Sequence, residues 1–189
     1  MNGPLLDLPL LSYFFDPTIA RTRNVGLLGG SVQLGDGLTV ASFPTFLGLG
    51  KRGIALNGSQ YLQHLAVIAS GTYSIFLLAN RTAAVTGYLA DARNTGGTGW
   101  ILDTAGVLTA SSGTMYVDGA PLTALPKGLH SVCCSGMTLA ATVKTVFGAD
   151  NAQANGWTGR VFAAKVYPYA LQPNQIRALH EQSMMLVNS

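Results

Sequence analysis

Gly159-Arg160-Val161-Phe162-Ala163-Ala164-Lys165-Val166-Tyr167-Pro168-Tyr169-Ala170-Leu171-Gln172 is the stretch whose reading decides the fold. Val161 to Tyr167 is rich in apolar, β-branched and aromatic residues and reads as a strand. Pro168 interrupts it. Pro173-Asn174-Gln175-Ile176-Arg177-Ala178-Leu179-His180-Glu181-Gln182 then reads as a helix. It has Pro in its first turn, good helix formers throughout, and Ile176 and Leu179 three apart on one face. It is the one helix that stands out in the chain.

Upstream, short β-rich runs alternate with turn signals. The clearest runs are Tyr73 to Leu78, Trp100 to Asp103, Thr114 to Val117 and Ser131 to Cys134. Asp36-Gly37, Asn57-Gly58, Asp118-Gly119 and Asn155-Gly156 punctuate them. Asx-Gly pairs supply the positive φ that hairpin turns require. Many short strands at this spacing predict a sandwich or a barrel. There is no linker, charge block or internal repeat, so one domain is expected over residues 12–189. Residues 1–11 form an apolar, Pro-containing lead. They read as an edge strand or as an arm that docks on a neighbour through Leu5, Leu6, Leu8, Leu10 and Leu11.

Composition narrows the function classes. Charged residues are only 10% of the 189, against about 25% in an average globular protein. Mean hydropathy is +0.32. A surface this poor in charge predicts burial against partners. The net charge of +3 comes from scattered residues, with only Arg21/Arg23 and Lys51/Arg52 close together. No basic stripe exists, and nucleic-acid binding is not expected. No run of roughly 18 apolar residues is present, so no membrane-spanning helix is expected. Pro4, Asp7 and Pro9 interrupt the N-terminus, which does not read as a signal peptide. Cys133 and Cys134 are adjacent, so in a strand they point to opposite faces. They read as small buried thiols in a reducing compartment.

The order of these segments resembles the laminin-G-like domains of the concanavalin A-like lectin/glucanase superfamily. Phe15-Asp16 followed by Arg23-Asn24-Val25-Gly26 resembles the opening strand and its loop. Gly53-Ile54-Ala55-Leu56-Asn57-Gly58-Ser59-Gln60-Tyr61-Leu62 resembles a "G-x-x-L-x-G-x-x-Y" hairpin. Met115-Tyr116-Val117-Asp118-Gly119 is similar to "Y-V-D-G", and Gly128-Leu129-His130-Ser131-Val132 to "G-x-W-H-x-V" with Leu129 in place of Trp. Residues 159–179 resemble the closing strand and the "A-L-S-x-x-E-I-x-x-L" helix. The likeness covers roughly residues 13–181. It implies an all-β fold: a two-sheet antiparallel β-sandwich, a concanavalin A-like jelly roll, with one short C-terminal helix. It implies no particular function, because this fold hosts lectins, hydrolases, adhesion modules and virion proteins.

The residues speak against catalysis. Glycosidases of this superfamily set two carboxylates at alternate positions on one strand face. Here Glu181, the single glutamate, lies on the predicted helix, and no two of the seven aspartates lie within four residues of each other. His64, His130 and His180 stand near neither a Gly-x-Ser-x-Gly elbow nor a metal-ligand partner. Calcium sites need about six to eight oxygens, usually with several carboxylates. Asp91-Ala92-Arg93-Asn94 and Asp150-Asn151 are the nearest approaches, and turn formation explains them better. No cofactor is expected. Sugar binding needs an exposed aromatic beside polar groups. The aromatic candidates are Trp100, Trp157, Tyr88 and Tyr116. Trp157 is expected in the core, which leaves Arg93, Asn94, Trp100 and Tyr116 as candidate ligand residues.

The resemblance and the low charge together favour a non-enzymatic bacteriophage virion structural protein, a capsid decoration or tail component. It would be made in the host cytoplasm, located in the virion, and partnered by copies of itself and other virion proteins. The alternative is a lectin-like module that attaches to surface glycans.

Overall fold

The computed structural model describes residues 9, 11–14, 32–35, 38, 44–46, 53–93, 97–142 and 144–188. Among the described residues thirteen strands and one helix follow in order: β1 (Leu11–Phe14), β2 (Val32–Leu34), β3 (Thr45–Phe46), β4 (Ile54–Asn57), β5 (Leu62–His64), β6 (Gly71–Arg81), β7 (Thr86–Asp91), β8 (Trp100–Thr104), β9 (Val107–Ala110), β10 (Thr114–Val117), β11 (Gly128–Leu139), β12 (Thr145–Phe147), β13 (Thr158–Tyr167) and α1 (Pro173–Asn188). They build a sandwich of two antiparallel sheets, as the sequence predicts. One sheet has seven strands in the order β10-β11-β6-β13-β4-β3, with β1 also on β13. The other has six, in the order β2-β5-β12-β7-β8-β9.

Alternation fills the space between the sheets. Ile75, Leu77 and Ala79 of β6, Val132 and Cys134 of β11, and Val161, Ala164 and Val166 of β13 face Leu62, Leu89, Ile101, Leu108 and Phe147 of the other sheet. Leu108 lies between exposed Val107 and Thr109 on β9, which has one face in the core and one in water. On β6, by contrast, every residue from Tyr73 to Ala79 is buried. That strand is covered on both faces, because α1 lies over the outer face of the seven-stranded sheet. Phe76, Leu78, Tyr116, Cys133, Ala163 and Tyr167 pack there against Leu171, Ile176 and Leu179. A bulge between Val161 and Ala163 admits Phe162 to the same cluster. Cys133 and Cys134 are free thiols in different clusters, on opposite faces of β11.

The helix starts where the sequence places it. Gln175 accepts the backbone N–H of Gln172 at 2.8 Å, a capping contact around Pro173. It ends six residues later than Gln182, because Ser183 is buried and Met184 packs on the sheet, extending the Ile176–Leu179 stripe by a turn.

The Asx-Gly pairs divide. Asp118-Gly119 closes a tight turn between Val117 and Ala120, with both φ positive at 51° and 77°. Asn57-Gly58 and Asn155-Gly156 do not make hairpins, since β4 and β5, like β12 and β13, belong to different sheets. They pack on each other instead. A Cβ on Gly156 would stand 2.0 Å from the Gly58 carbonyl oxygen, so glycine is required for the approach. Asp36-Gly37 lies outside the described residues.

A buried ion pair joins the sheets. Asp103 of β8 accepts from Arg81 Nε of β6 at 2.9 Å, from Trp157 Nε1 at 3.0 Å and from the Gly106 N–H at 2.6 Å. Trp157 is fully buried, as expected. Leu11, the last residue of the lead read from sequence as an arm or an edge strand, opens β1 and pairs with Val166. Leu5, Leu6, Leu8 and Leu10 lie outside the described residues. No helix is long and apolar enough to cross a membrane among those described.

Candidate functional site

Among the described residues no helix lies over the outer face of the six-stranded sheet. Register lines up one row of residues across it: Gln33, Gln63, Val146, Asp91 and Trp100. A bulge sets what stands beside that row. The register of β7 on β8 shifts between Tyr88 and Ala90, so Leu89 and Ala90 both enter the core. Tyr88 and Asp91, three apart, would otherwise point to opposite faces; the extra residue brings both to the outside.

Asp91 is fully buried and holds Arg93 in place. The Arg93 N–H donates to Oδ1 at 2.8 Å, and Nε lies 3.0 and 2.8 Å from Oδ1 and Oδ2. Arg93 Nη2 also donates to Oδ2. The hydrogen bond from Arg93 to Asp91 raises the guanidinium pKa above its ordinary value, so its charge is fixed. The Asn151 N–H donates to Asp91 Oδ2 at 2.9 Å, so both carboxylate oxygens are occupied. This is why the Asp91 loop does not offer the open carboxylate that calcium needs. Asp150 is similarly engaged, accepting from the Ala154 N–H and Asn155 Nδ2 at 2.8 and 2.7 Å. Among the described residues no cluster of His, Cys, Asp or Glu could hold a metal.

Held this way, the Arg93 guanidinium lies 4.9 Å over the Tyr88 ring, within cation–π range. The Tyr88 and Trp100 rings meet edge to face at 6.0 Å and 84°. Trp100 Nε1 donates to the Gly97 carbonyl at 2.8 Å, which fixes the indole. Both rings remain half-buried. The 148–156 loop borders the site with amides: Gln153 Nε2 donates to Gln63 Oε1 at 3.2 Å, and Gln63 Nε2 donates to the Gly35 carbonyl at 2.9 Å. The arrangement offers a rigid aromatic corner next to a planar donor, which suits a ring-shaped polyol.

Of the four ligand residues expected from sequence, Arg93 and Trp100 come together here. Asn94 lies outside the described residues. Tyr116 does not join them. It sits on the outer face of the opposite sheet, 9% exposed beneath α1, because its row partner is Cys133 rather than a residue of the six-stranded sheet. Asp91, Gln63, Asn151 and Gln153 were not expected at a ligand site. The Asp91-x-Arg93 spacing, which lets an arginine just past a strand end fold back on the strand's last carboxylate, was the available signal for the first.

His130 and His180 form a second cluster on the far side, while His64 is buried on β5 of the six-stranded sheet. His130 Nδ1 lies 2.6 Å from Asp118 Oδ2, and Ser131 Oγ lies 3.0 Å from His180 Nδ1. His180 thus docks the helix rather than projecting freely into water. Asp118 Oδ1 is 3.7 Å from that same His180 nitrogen. A catalytic relay needs serine and carboxylate on opposite ring nitrogens. Ser131 is also buried.

No protein-family model matches the sequence, and no curated protein matches it. Solved structures do resemble it in fold. Domain 4 of AbnA, a GH43 extracellular arabinanase from Geobacillus stearothermophilus, solved in complex with arabinotriose, superposes with a TM-score of 0.61 at 14% identity, over 92% of this chain and 98% of that domain. A mutant of HCR/D superposes at 0.57 with 10% identity, over 94% of this chain and 52% of its own. The botulinum neurotoxin serotype G binding domain does so at 0.57 with 8% identity, over 93% of this chain and 51% of its own. This chain spans about half of each of the latter two. The class defined is one of fold alone, a jelly-roll β-sandwich of two antiparallel sheets.

Proposed function

We propose that this chain is a non-catalytic carbohydrate-binding module whose ligand lies on the outer face of the six-stranded sheet. The observation that carries the reading is the Tyr88–Trp100 pair, fixed edge to face with Arg93 clamped over Tyr88 by Asp91. Rigid aromatics stack on sugar rings at low entropic cost, and a planar donor beside them reaches paired hydroxyls. The arabinotriose complex of the AbnA domain supports a sugar on such a sandwich. Asp91 and Asp103 each engage an arginine, so neither stands ready as acid or nucleophile. A glycan panel screened with the whole chain tests the reading. Retained glycans are expected, with at least tenfold weaker retention by Trp100→Ala; an empty panel overturns it.

A second reading keeps the module in a bacteriophage virion, as a capsid decoration or tail protein bound to its own copies. It draws support from the 10% charge and from Leu65, Val67, Val107 and Leu122, all more than half exposed. Sedimentation equilibrium tests it: concentration-dependent oligomers are expected, and a monomer at every concentration speaks against it.

A further inference from the structure

We propose that the site selects neutral saccharides and discriminates against acidic ones; this rests on the carbohydrate-binding reading above. Recognition of a uronate, sialate or sulfate needs a cation whose charge is not already matched. Arg93 is the cation that touches the aromatic pair, and its charge is matched inside the protein. Nε spans both oxygens of Asp91 at 3.0 and 2.8 Å, and Nη2 donates to Oδ2. No second cation touches Tyr88 or Trp100 among the described residues.

Geometry adds to the charge argument. One of the two edges with which Arg93 can grip a carboxylate in two places, Nε with Nη2, is taken up by Asp91. Its Cζ lies 4.9 Å from the centroid of the Tyr88 ring. What Arg93 still offers is the N–H groups that it does not give to Asp91, which suit hydroxyl oxygens while its charge stays matched by the carboxylate. An acidic ligand reaching them would also approach the Asp91 carboxylate, and the two charges of the pair cancel in their effect on it. The neighbouring side chains, Gln63, Asn151 and Gln153, are amides that donate and accept without charge.

The pair therefore works as a rigid neutral tile. It keeps the planarity of a guanidinium for stacking and removes its appetite for anions. Asp91 sets specificity through Arg93 and is a positioning residue.

The experiment compares neutral polysaccharides (arabinan, galactan, xylan) with acidic ones (polygalacturonate, heparin) on the intact chain, by affinity electrophoresis at 50 and 500 mM NaCl. Trp100-dependent retardation by one or more neutral polymers is expected, at least tenfold stronger than by acidic polymers and changing less than twofold with salt. Asp91→Asn, which keeps the shape and frees the guanidinium, is expected to gain salt-sensitive binding to acidic polymers; Asp91→Asn with Arg93→Gln is expected to lose that gain. Trp100-dependent binding to acidic polymers that falls with salt in the unaltered chain overturns the neutral preference and leaves the carbohydrate reading standing. Failure of both classes to bind overturns the carbohydrate reading itself. The salt comparison on the unaltered chain decides the matter even where Asp91→Asn does not fold.

Discussion

Two rows of side chains cross the two outer faces of this sandwich, and they have opposite chemistry. On the seven-stranded sheet the row is Tyr116, Cys133, Phe76, Lys165 and Ser12. On the six-stranded sheet it is Gln33, Gln63, Val146, Asp91 and Trp100. The first row is centred on a fully buried phenylalanine and lies on the face that α1 covers. The second holds two amides, a fully buried valine packed against Ala149 and Tyr61, an aspartate paired with Arg93 and a half-buried indole; among the described residues it is the 148–156 loop, not a helix, that packs on it. Both sheets need one apolar face for the shared core. Only the seven-stranded sheet is apolar on both sides, and the chain covers its second side with its own last element. The difference separates two uses of an outer face: one completes the fold beneath α1, and the other keeps Tyr88 and Trp100 half-buried, as the proposed ligand site requires.

The strongest way to break this comparison is to remove the centre of the covered row. Phe76→Ala is expected to cost ~3–5 kcal/mol by urea denaturation, from lost transfer energy and a residual cavity. A cost below ~1 kcal/mol would mean that α1 is not a lasting cover.

The thiols sharpen it next. Burial pushes Cys134 up to about 12 from an ordinary 9.0 and Cys133 higher still. Neither should react with a thiol reagent in the native protein near neutral pH, and both should react after unfolding. The sign of the linkage follows from the direction of the shift. Above pH 9 the unfolded chain releases thiol protons that the folded chain keeps. Stability is therefore fully present below 9 and is lost as pH rises through that window. Buried Tyr167, raised for the same reason, adds to the fall. The urea midpoint should drop between pH 8 and 10.5, and less steeply in Cys133→Ala.

The smallest expected effect lies on the open row. Trp100→Ala should change unfolding free energy by less than ~1 kcal/mol, since the ring is half-exposed and its contacts are local. A cost like that of Phe76→Ala would make Trp100 a core residue and remove the contrast between the faces.

Much of the fold was legible because its signals are local. Val161 to Tyr167, Thr114 to Val117 and the Ile176–Leu179 face each carry their period within a few residues. Asp118-Gly119 was read correctly because a two-residue turn is decided by those two residues. Asn57-Gly58 was misread because the same dipeptide also suits a crossing between sheets, and only the partner glycine, Gly156, settles which. The site was half legible. Trp100 and Arg93 flank one Gly-rich loop, so their nearness is nearly local. Tyr116 has the right chemistry on the wrong sheet, and sheet membership is fixed by pairings far apart in sequence. Tyr88 and Asp91 share a face only through a bulge, which shifts the alternation that sequence reading depends on.

The position of β13 has a consequence for how the protein is made. It is the last strand of the chain, yet it runs through the middle of the seven-stranded sheet, against β6 along one side and β4 and β1 along the other. During synthesis β6 can pair with β11 as soon as residue 139 has left the ribosome, but its other edge stays open until residue 167 follows. At about 5–20 residues per second this interval lasts a few seconds. Through it the nascent chain carries the apolar edge Ile75-Phe76-Leu77-Leu78 without its final neighbour. Truncation anywhere before Tyr167 would make that transient edge permanent, and such fragments should aggregate rather than fold.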